Sequence, residues 1–122
     1  MRMMSFHLTT PQIRSRVKTV TRRVGWRFLK PHQPLQAIVK GQGLKAGETV
    51  ERLCVIEPVL VSREPLRRMV DEPAYGRQEC VREGFPQLTP EQFVAMFCAS
   101  HKGCTPDTTV TRIEFRYRER VE

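Results

Sequence analysis

A short basic segment near the start of the chain, residues 17–23, has the composition of a ligand-binding strand. Its sequence, VKTVTRR, combines one lysine, two threonines and two arginines with two valines. Valine and threonine are β-branched and favour extended backbone, so a strand is predicted, with Thr21 and Arg23 on one face and Arg22 on the other. Lys18 is then expected at the turn that leads into the strand. Side chains at such junctions often line clefts, so this segment is the first candidate for ligand binding.

A second candidate group, Glu83, is followed by Gly84 and Phe85. Gly84 is predicted to end a helix and to let backbone come close to a ligand, while Phe85 anchors the segment in the core. The alternative is a surface carboxylate that pairs with Arg82 or Arg77. The residue types alone leave both interpretations open.

The positive charge of the chain is concentrated in its first part. Residues 1–47 contain ten Lys and Arg and no Asp or Glu, whereas the remaining residues contain all thirteen acidic residues, and the net charge is +8. Such a concentration is typical of proteins that bind phosphate or another polyanion. The alternative is that the arginines only keep the protein in solution. We favour nucleic acid or a nucleotide as the ligand, because the charge converges on residues 17–23.

The next segment, residues 24–34, is predicted to be a loop that mixes aromatic and basic residues. Trp26, Arg27, Phe28 and Lys30 together suit the stacking of a base and the binding of its phosphate. A single tryptophan in a small domain is more often a partly buried packing residue, so both interpretations of Trp26 are kept.

The pattern of apolar residues predicts an α+β fold. Strands are expected over residues 3–8, 17–23, 35–40, 49–62 and 110–117, with helices over 10–17, within 63–82 and after Thr89. The order does not alternate strand and helix, which argues against a parallel doubly wound sheet. A small curled β-barrel of about five or six strands is therefore predicted, with an N-terminal helix and helices inserted before the last strand.

Two local signals refine this prediction. Pro58 interrupts a long β-branched run, and because proline cannot donate to a sheet it marks a bulge, an edge or a break between two strands. Thr89, Pro90 and Gln92 form a capping-box pattern, which fixes the start of the last helix.

The four cysteines raise the question of a metal site. Cys98, His101 and Cys104 are spaced by two residues each, and Cys80 or Cys54 would supply a fourth zinc ligand. The spacing matches no standard zinc pair, and Cys98 falls in a helix with an apolar stripe. We therefore favour free cysteines, with no metal and no other cofactor.

Size and hydropathy set the remaining expectations. The 122 residues fit one domain, and no apolar run approaches the roughly 20 residues needed to cross a bilayer. The first residues lack the apolar region of a secretory signal. We expect a cytoplasmic monomer with reduced thiols and no membrane association, and the protein partner is left open.

Three segments together resemble the ASCH family. They are residues 18–23 (KTVTRR), residues 83–85 (EGF) and residues 88–93 (LTPEQF), and the final segment, residues 112–115, extends the resemblance over nearly the whole chain. The resemblance is strongest to compact single-domain members of the kind carried by phages and bacteria. It implies a small PUA-like β-barrel with a cleft for RNA or modified nucleosides.

One branch of that family removes the acetyl group from N4-acetylcytidine. The resemblance to it implies that Lys18 with a lowered pKa acts as the base, Thr21 as the nucleophile and Glu83 as the group that steers the proton or the amide. Arg23 matches the arginine of the family and is expected to hold a phosphate or a base edge, with Arg22 nearby.

Two classes of function follow from the resemblance and the charge. In the first, the basic cleft binds RNA or a modified nucleoside without turnover, with Arg22, Arg23, Trp26 and Arg27 as the binding residues. In the second, Lys18, Thr21 and Glu83 hydrolyse an amide on a modified cytidine, or the cleft cuts RNA. The charge distribution favours binding, which is the leading hypothesis.

Overall fold

The structure, a computed structural model, describes residues 1–119 and has the predicted α+β class. The strands are β1 (Arg2–Ser5), β2 (Val20–Arg23), β3 (Leu35–Ile38), β4 (Arg52–Pro65) and β5 (Thr109–Tyr117). The helices are α1 (Thr10–Arg14), α2 (Arg68–Asp71), α3 (Pro73–Glu83) and α4 (Pro90–Ala99), and a short 3-10 turn, His7–Thr9, precedes α1.

The strands form one mixed sheet in the order β1-β3-β4-β5-β2. Only β1 and β3 pair in parallel, and the other neighbours are antiparallel. The two edge strands nevertheless approach each other: the guanidinium of Arg23 in β2 lies 4.7 Å from the ring centroid of Phe6, the residue directly after β1. The guanidinium of Arg2 similarly lies 4.3 Å from the ring of Trp26. The sheet is therefore curled into a half-barrel, as the sequence predicted.

The longest strand, β4, carries the irregularity predicted at Pro58. Its pairing with β5 shifts register between Pro58 and Leu60, which marks a bulge. The strand continues through it, so the proline bends one strand and does not separate two. A bulge of this kind increases local twist and helps a small sheet to curl.

The core has two parts. One lies against the sheet and contains buried residues of β1, β3, β4 and β5, among them Met4, Leu35, Ile56 and Ile113. The other joins the helices to the sheet through Leu66, Met69, Phe93, Phe97 and Val110. The site described below lies against both parts.

Element ends follow local capping. The Thr89 hydroxyl accepts from the Gln92 backbone while the Gln92 side chain accepts from the Thr89 backbone, which confirms the capping box of α4. By contrast, α1 ends at Arg14 and not near Val17, because Arg16 takes a left-handed conformation with φ of 61°. Strand β1 is also shorter than the predicted 3–8.

No helix among residues 1–119 has the length and apolar character that a membrane crossing requires.

Candidate functional site

Lys18 lies in the segment between α1 and β2, where the sequence placed it. The backbone N–H groups of Val17 and Lys18 donate to the carbonyl of Gln12, at 3.1 and 3.3 Å, and hold the turn against α1. The Tyr117 hydroxyl donates to the Lys18 carbonyl at 2.6 Å and fixes the same turn to β5. With only 2% of its surface exposed, Lys18 is a buried lysine and needs internal partners.

Glu83 supplies those partners. Its carboxylate accepts from the Lys18 ammonium at 2.6 Å and its backbone carbonyl accepts from the same nitrogen at 2.9 Å. The carbonyl is free to do so because it lies at the end of α3, where Gly84 stops the helix with φ of 94°. Glu83 is 3% exposed and bonds to neither Arg82 nor Arg77, so the surface-carboxylate alternative is wrong.

The environment of Lys18 lowers its pKa below the ordinary 10.5. Burial is the largest cause, and the positive charges of Arg23 and Arg22 act in the same direction, while Glu83 opposes them. A lysine with a lowered pKa is a better proton acceptor near neutral pH than an exposed lysine.

Thr21 and Arg23 share one face of β2, as alternation predicted. The Arg23 Nε donates to the Thr21 hydroxyl at 3.1 Å. Burial lowers the pKa of Arg23 to about 10, although the negative charge of Glu83 raises it. The group is still charged at neutral pH, so a partly buried cation lies beside the Thr21 hydroxyl.

One cavity brings these four groups together. It has a volume of about 570 Å³, and its polar lining includes Lys18, Thr21, Arg23 and Glu83. The rest of its wall is mostly aromatic and apolar. It comes from the 3-10 turn and the residue before it, the segment after α3 and the helix α4: Phe6, Leu8, Phe85, Phe93, Met96 and Phe97. The cavity thus has a charged side and an aromatic side.

Arg22 also lines the cavity, but its guanidinium is tied into a buried ionic cluster on the other face of β2. It donates to Glu83 at 3.0 Å, to Glu79 at 2.5 Å and to Glu64 at 3.2 Å. Burial alone would lower the pKa of Arg22, but these carboxylates outweigh burial and raise it. Arg22 is therefore permanently charged, and its geometry fixes the Glu83 carboxylate that meets Lys18.

The sequence interpretation missed the other members of this cluster. Arg112 of β5 donates to both oxygens of Glu79, at 2.5 and 3.1 Å, and the Tyr75 hydroxyl donates to Glu64 at 2.8 Å. A signal was present, because Glu79 and Glu83 are four residues apart and so lie on one face of α3. The arginines that meet them could not be paired without the order of the strands.

Trp26 and Arg27 lie outside the cavity lining. Trp26 is half-buried and packs against the core cluster of the sheet, beneath the Arg2 guanidinium. The ring makes the packing contacts of the second interpretation given to it, and its part in ligand binding stays a prediction. Arg27 is exposed in the loop that follows β2.

Three of the residues considered for zinc, Cys98, His101 and Cys104, lie at the end of α4 and in the loop after it, whereas Cys80 lies in α3 and Cys54 in β4. The sulfurs of Cys98 and Cys104 are 3.8 Å apart. The ring of His101 stacks on Phe97 with centroids 4.1 Å apart, and His101 lines the cavity. Within residues 1–119, no group of three His, Cys, Asp or Glu side chains is arranged to hold a metal ion.

Comparison with known proteins gives a likeness in fold. No family model and no curated protein sequence matches the chain. The structure is similar to the crystal structure of protein EF3133 from Enterococcus faecalis, of family DUF984, with a TM-score of 0.63 and 15% sequence identity. The match covers 97% of this chain and 76% of that one. At 15% sequence identity the similarity shows that the two proteins share a fold, and it gives no information about activity.

Proposed function

We propose that the protein binds a nucleoside, free or as one nucleotide of an RNA, in the cavity between β2 and α4, in the manner of a PUA-like ASCH domain. The observation that supports this most is the two-sided lining of the cavity. A flat heteroaromatic base would pack against the phenylalanines, while its polar edge and its sugar or phosphate would meet Lys18, Thr21 and Arg23.

The dimensions and charge of the site agree with such a ligand. A volume of about 570 Å³ is within the range of sites that enclose small molecules, about 300–1,000 Å³. The Arg23 side chain donates one hydrogen bond to Thr21, through Nε, so its other guanidinium N–H groups can bind a phosphate or a base carbonyl. The excess of basic residues over 1–47 would attract the nucleic acid that carries the base.

Calorimetric titration with cytidine, cytidine monophosphate and N4-acetylcytidine tests this proposal. We expect one site, with binding weakened at least tenfold in Arg23→Gln because a charged hydrogen bond is lost. The control is Arg77→Gln, since Arg77 is exposed on α3 outside the cavity lining. The proposal would be contradicted if Arg23→Gln and Arg77→Gln bound the ligands with equal affinity, or if the wild-type protein bound none of the three nucleosides and nucleotides.

Hydrolysis of an N-acyl nucleoside is the second candidate, and the buried Lys18 with its lowered pKa favours it. In this reaction neutral Lys18 takes the proton of the Thr21 hydroxyl while the Thr21 oxygen attacks the acyl carbonyl. The C–N bond then breaks, Lys18 returns the proton to the leaving amine, and water hydrolyses the acyl-threonine to the free acid. Glu83, held by Arg22, orients the Lys18 nitrogen throughout.

Chromatographic assay of N4-acetylcytidine separates this candidate from simple binding. An enzyme would release cytidine and acetate, and both Lys18→Met and Thr21→Val would lose at least a hundredfold in rate while calorimetry still detects ligand. Lys45→Met is the control, because Lys45 is exposed in the segment between β3 and β4. Tight binding without turnover by the wild-type protein would leave the first proposal standing and reject the second.

A further inference from the structure

We propose that the loop between β2 and β3, residues 24–34, presents Phe28 as a stacking platform for a base of single-stranded nucleic acid. This surface lies outside the cavity and goes beyond the proposed function, because it needs neither the Lys18 group nor a nucleoside in the cavity. It uses a residue that the sequence alone did not distinguish from Trp26.

The loop is anchored on both sides of Phe28. Before it, Trp26 packs on the core, and after it, Leu29 is buried with 5% of its surface exposed. The Leu29 N–H donates to the Trp26 carbonyl at 3.3 Å, and the His32 N–H donates to the Pro58 carbonyl of β4 at 2.7 Å. These contacts fix the backbone around Phe28 and reduce the entropy lost when a ligand binds.

Phe28 itself is 89% exposed. Among the phenylalanine, tyrosine and tryptophan side chains of residues 1–119 it is the one that is exposed, since Trp26 and the others are buried or half-buried. A phenylalanine held in water by a loop that is anchored through Trp26 and Leu29 adds nothing to the core, and exposed apolar surface of this kind commonly marks a contact site.

The charges beside the ring indicate the kind of partner. Arg27 and Lys30 are both exposed, and neither forms an ion pair with a carboxylate within residues 1–119. The loop contains no acidic residue. An aromatic ring flanked by unneutralised cations matches a base and the phosphates on either side of it, and a single strand is required because duplex bases already stack on each other.

An anionic membrane is the other partner that a basic and apolar surface can fit. A surface that inserts into lipid presents a broad apolar face, whereas this loop offers one ring with polar neighbours, so nucleic acid fits better.

Fluorescence anisotropy with a labelled ten-nucleotide oligouridine tests the proposal, with the same oligomer as DNA and a matched RNA duplex as further probes. Stacking of one base is worth about 1–3 kcal/mol, so we expect Phe28→Ala to weaken binding about 5- to 150-fold. Phe28→Trp should keep the affinity within about threefold, since a larger ring stacks at least as well. Leu60→Ala is the matched control, because Leu60 is a half-exposed apolar side chain elsewhere on the sheet.

The cations give an independent readout. Arg27→Ala and Lys30→Ala should each reduce the slope of log affinity against log salt by about 0.7, the value for one phosphate of a single strand. Removal of the ring in Phe28→Ala should leave that slope unchanged. This contrast separates the stacking contact from the phosphate contacts.

Any of three results would overturn the inference. Wild type and Phe28→Ala could bind the oligouridine with equal affinity, or the Phe28-dependent binding could be as strong for the duplex as for the single strand. The protein could also sediment with phosphatidylserine vesicles in a Phe28-dependent way and bind no oligonucleotide. The test is also separate from that of the cavity. Arg23→Gln should lose free nucleoside but keep the Phe28-dependent share of oligonucleotide binding, and Phe28→Ala should show the reverse.

Discussion

The ammonium of Lys18 lies 2.6 Å from the carboxylate of Glu83, although the two residues are 65 positions apart. Both side chains are almost fully buried, with 2% and 4% of their surfaces exposed. The pair joins the turn before β2 to the end of α3, so the charged side of the cavity forms only when the helices have packed on the sheet. The stability of the fold and the geometry of the site are therefore coupled through this pair and through the Arg22 contacts with Glu79 and Glu83.

Replacing one member of the Lys18–Glu83 pair should lower the free energy of unfolding strongly, and replacing both should lower it much less. Glu83→Gln leaves the Lys18 ammonium buried without a counter-charge, and loss of one member of a buried pair costs about 3–5 kcal/mol. Lys18→Met in the Glu83→Gln background should recover at least part of this loss, because the uncompensated charge is gone. Urea unfolding of the wild type, both single variants and the double variant measures the coupling. Additive effects in the four proteins would show that the pair is not coupled.

The buried ionic cluster should make the protein sensitive to acid. Burial raises the pKa of Glu79, but the hydrogen bonds and charges of Arg112 and Arg22 outweigh burial and lower it from 4.5 to about 2. The unfolded chain then binds a proton more tightly than the folded protein does. The stabilisation is complete above about pH 4.5 and is lost as the pH falls toward 2, and it amounts to roughly 3 kcal/mol.

Glu79→Gln isolates this effect. The variant should be less stable than wild type at neutral pH, and the difference between the two free energies of unfolding should shrink as the pH is lowered from 5 to about 2. A constant difference over that interval would show that Glu79 does not titrate with a lowered pKa in the folded state.

Gly84 should tolerate no side chain. Its φ of 94° belongs to the left-handed region, and an added Cβ would lie 2.7 Å from Cγ and 2.9 Å from Cβ of Gln12. Gly84→Ala therefore adds a steric overlap to the left-handed backbone cost of about 1–2 kcal/mol. Gly43→Ala is the matched control, because Gly43 has φ of 71° with open space around it and carries the backbone cost alone. Thermal unfolding should rank Gly84→Ala clearly below Gly43→Ala, and the reverse order would exclude the overlap as the cause.

Local rules were enough to predict the parts of the site that lie close together in sequence. Alternation along a strand placed Thr21 and Arg23 on one face, and the capping box fixed α4, which forms the aromatic wall. The position of Lys18 before β2 followed from where the β-branched residues begin.

Long-range pairing was beyond those rules. Arg22 meets Glu79 and Glu64 because β2 and β4 flank β5 and α3 packs near β2, an order that no local pattern encodes. Trp26 and Phe28 have the same character in the sequence, and only the folded structure shows that Trp26 packs on the core while Phe28 is exposed. Sequence patterns therefore indicate which residues form the cavity face, but not which neighbours fix them.

Lys18 should also give the protein a distinctive response to alkali. Because burial lowers its pKa below 10.5 in the folded state, the unfolded chain binds more protons between the lowered pKa and 10.5. Lys18 thus makes the folded state less favourable at lower pH, and that penalty disappears as the pH rises toward 10.5. The wild type should gain stability relative to Lys18→Met over this range, and other titrating groups cancel in the comparison. Urea unfolding of both proteins from pH 7 to 10.5 measures the difference. A difference that stays constant, or that moves in favour of Lys18→Met, would mean that the ammonium of Lys18 keeps an ordinary or raised pKa and is no base for the cavity.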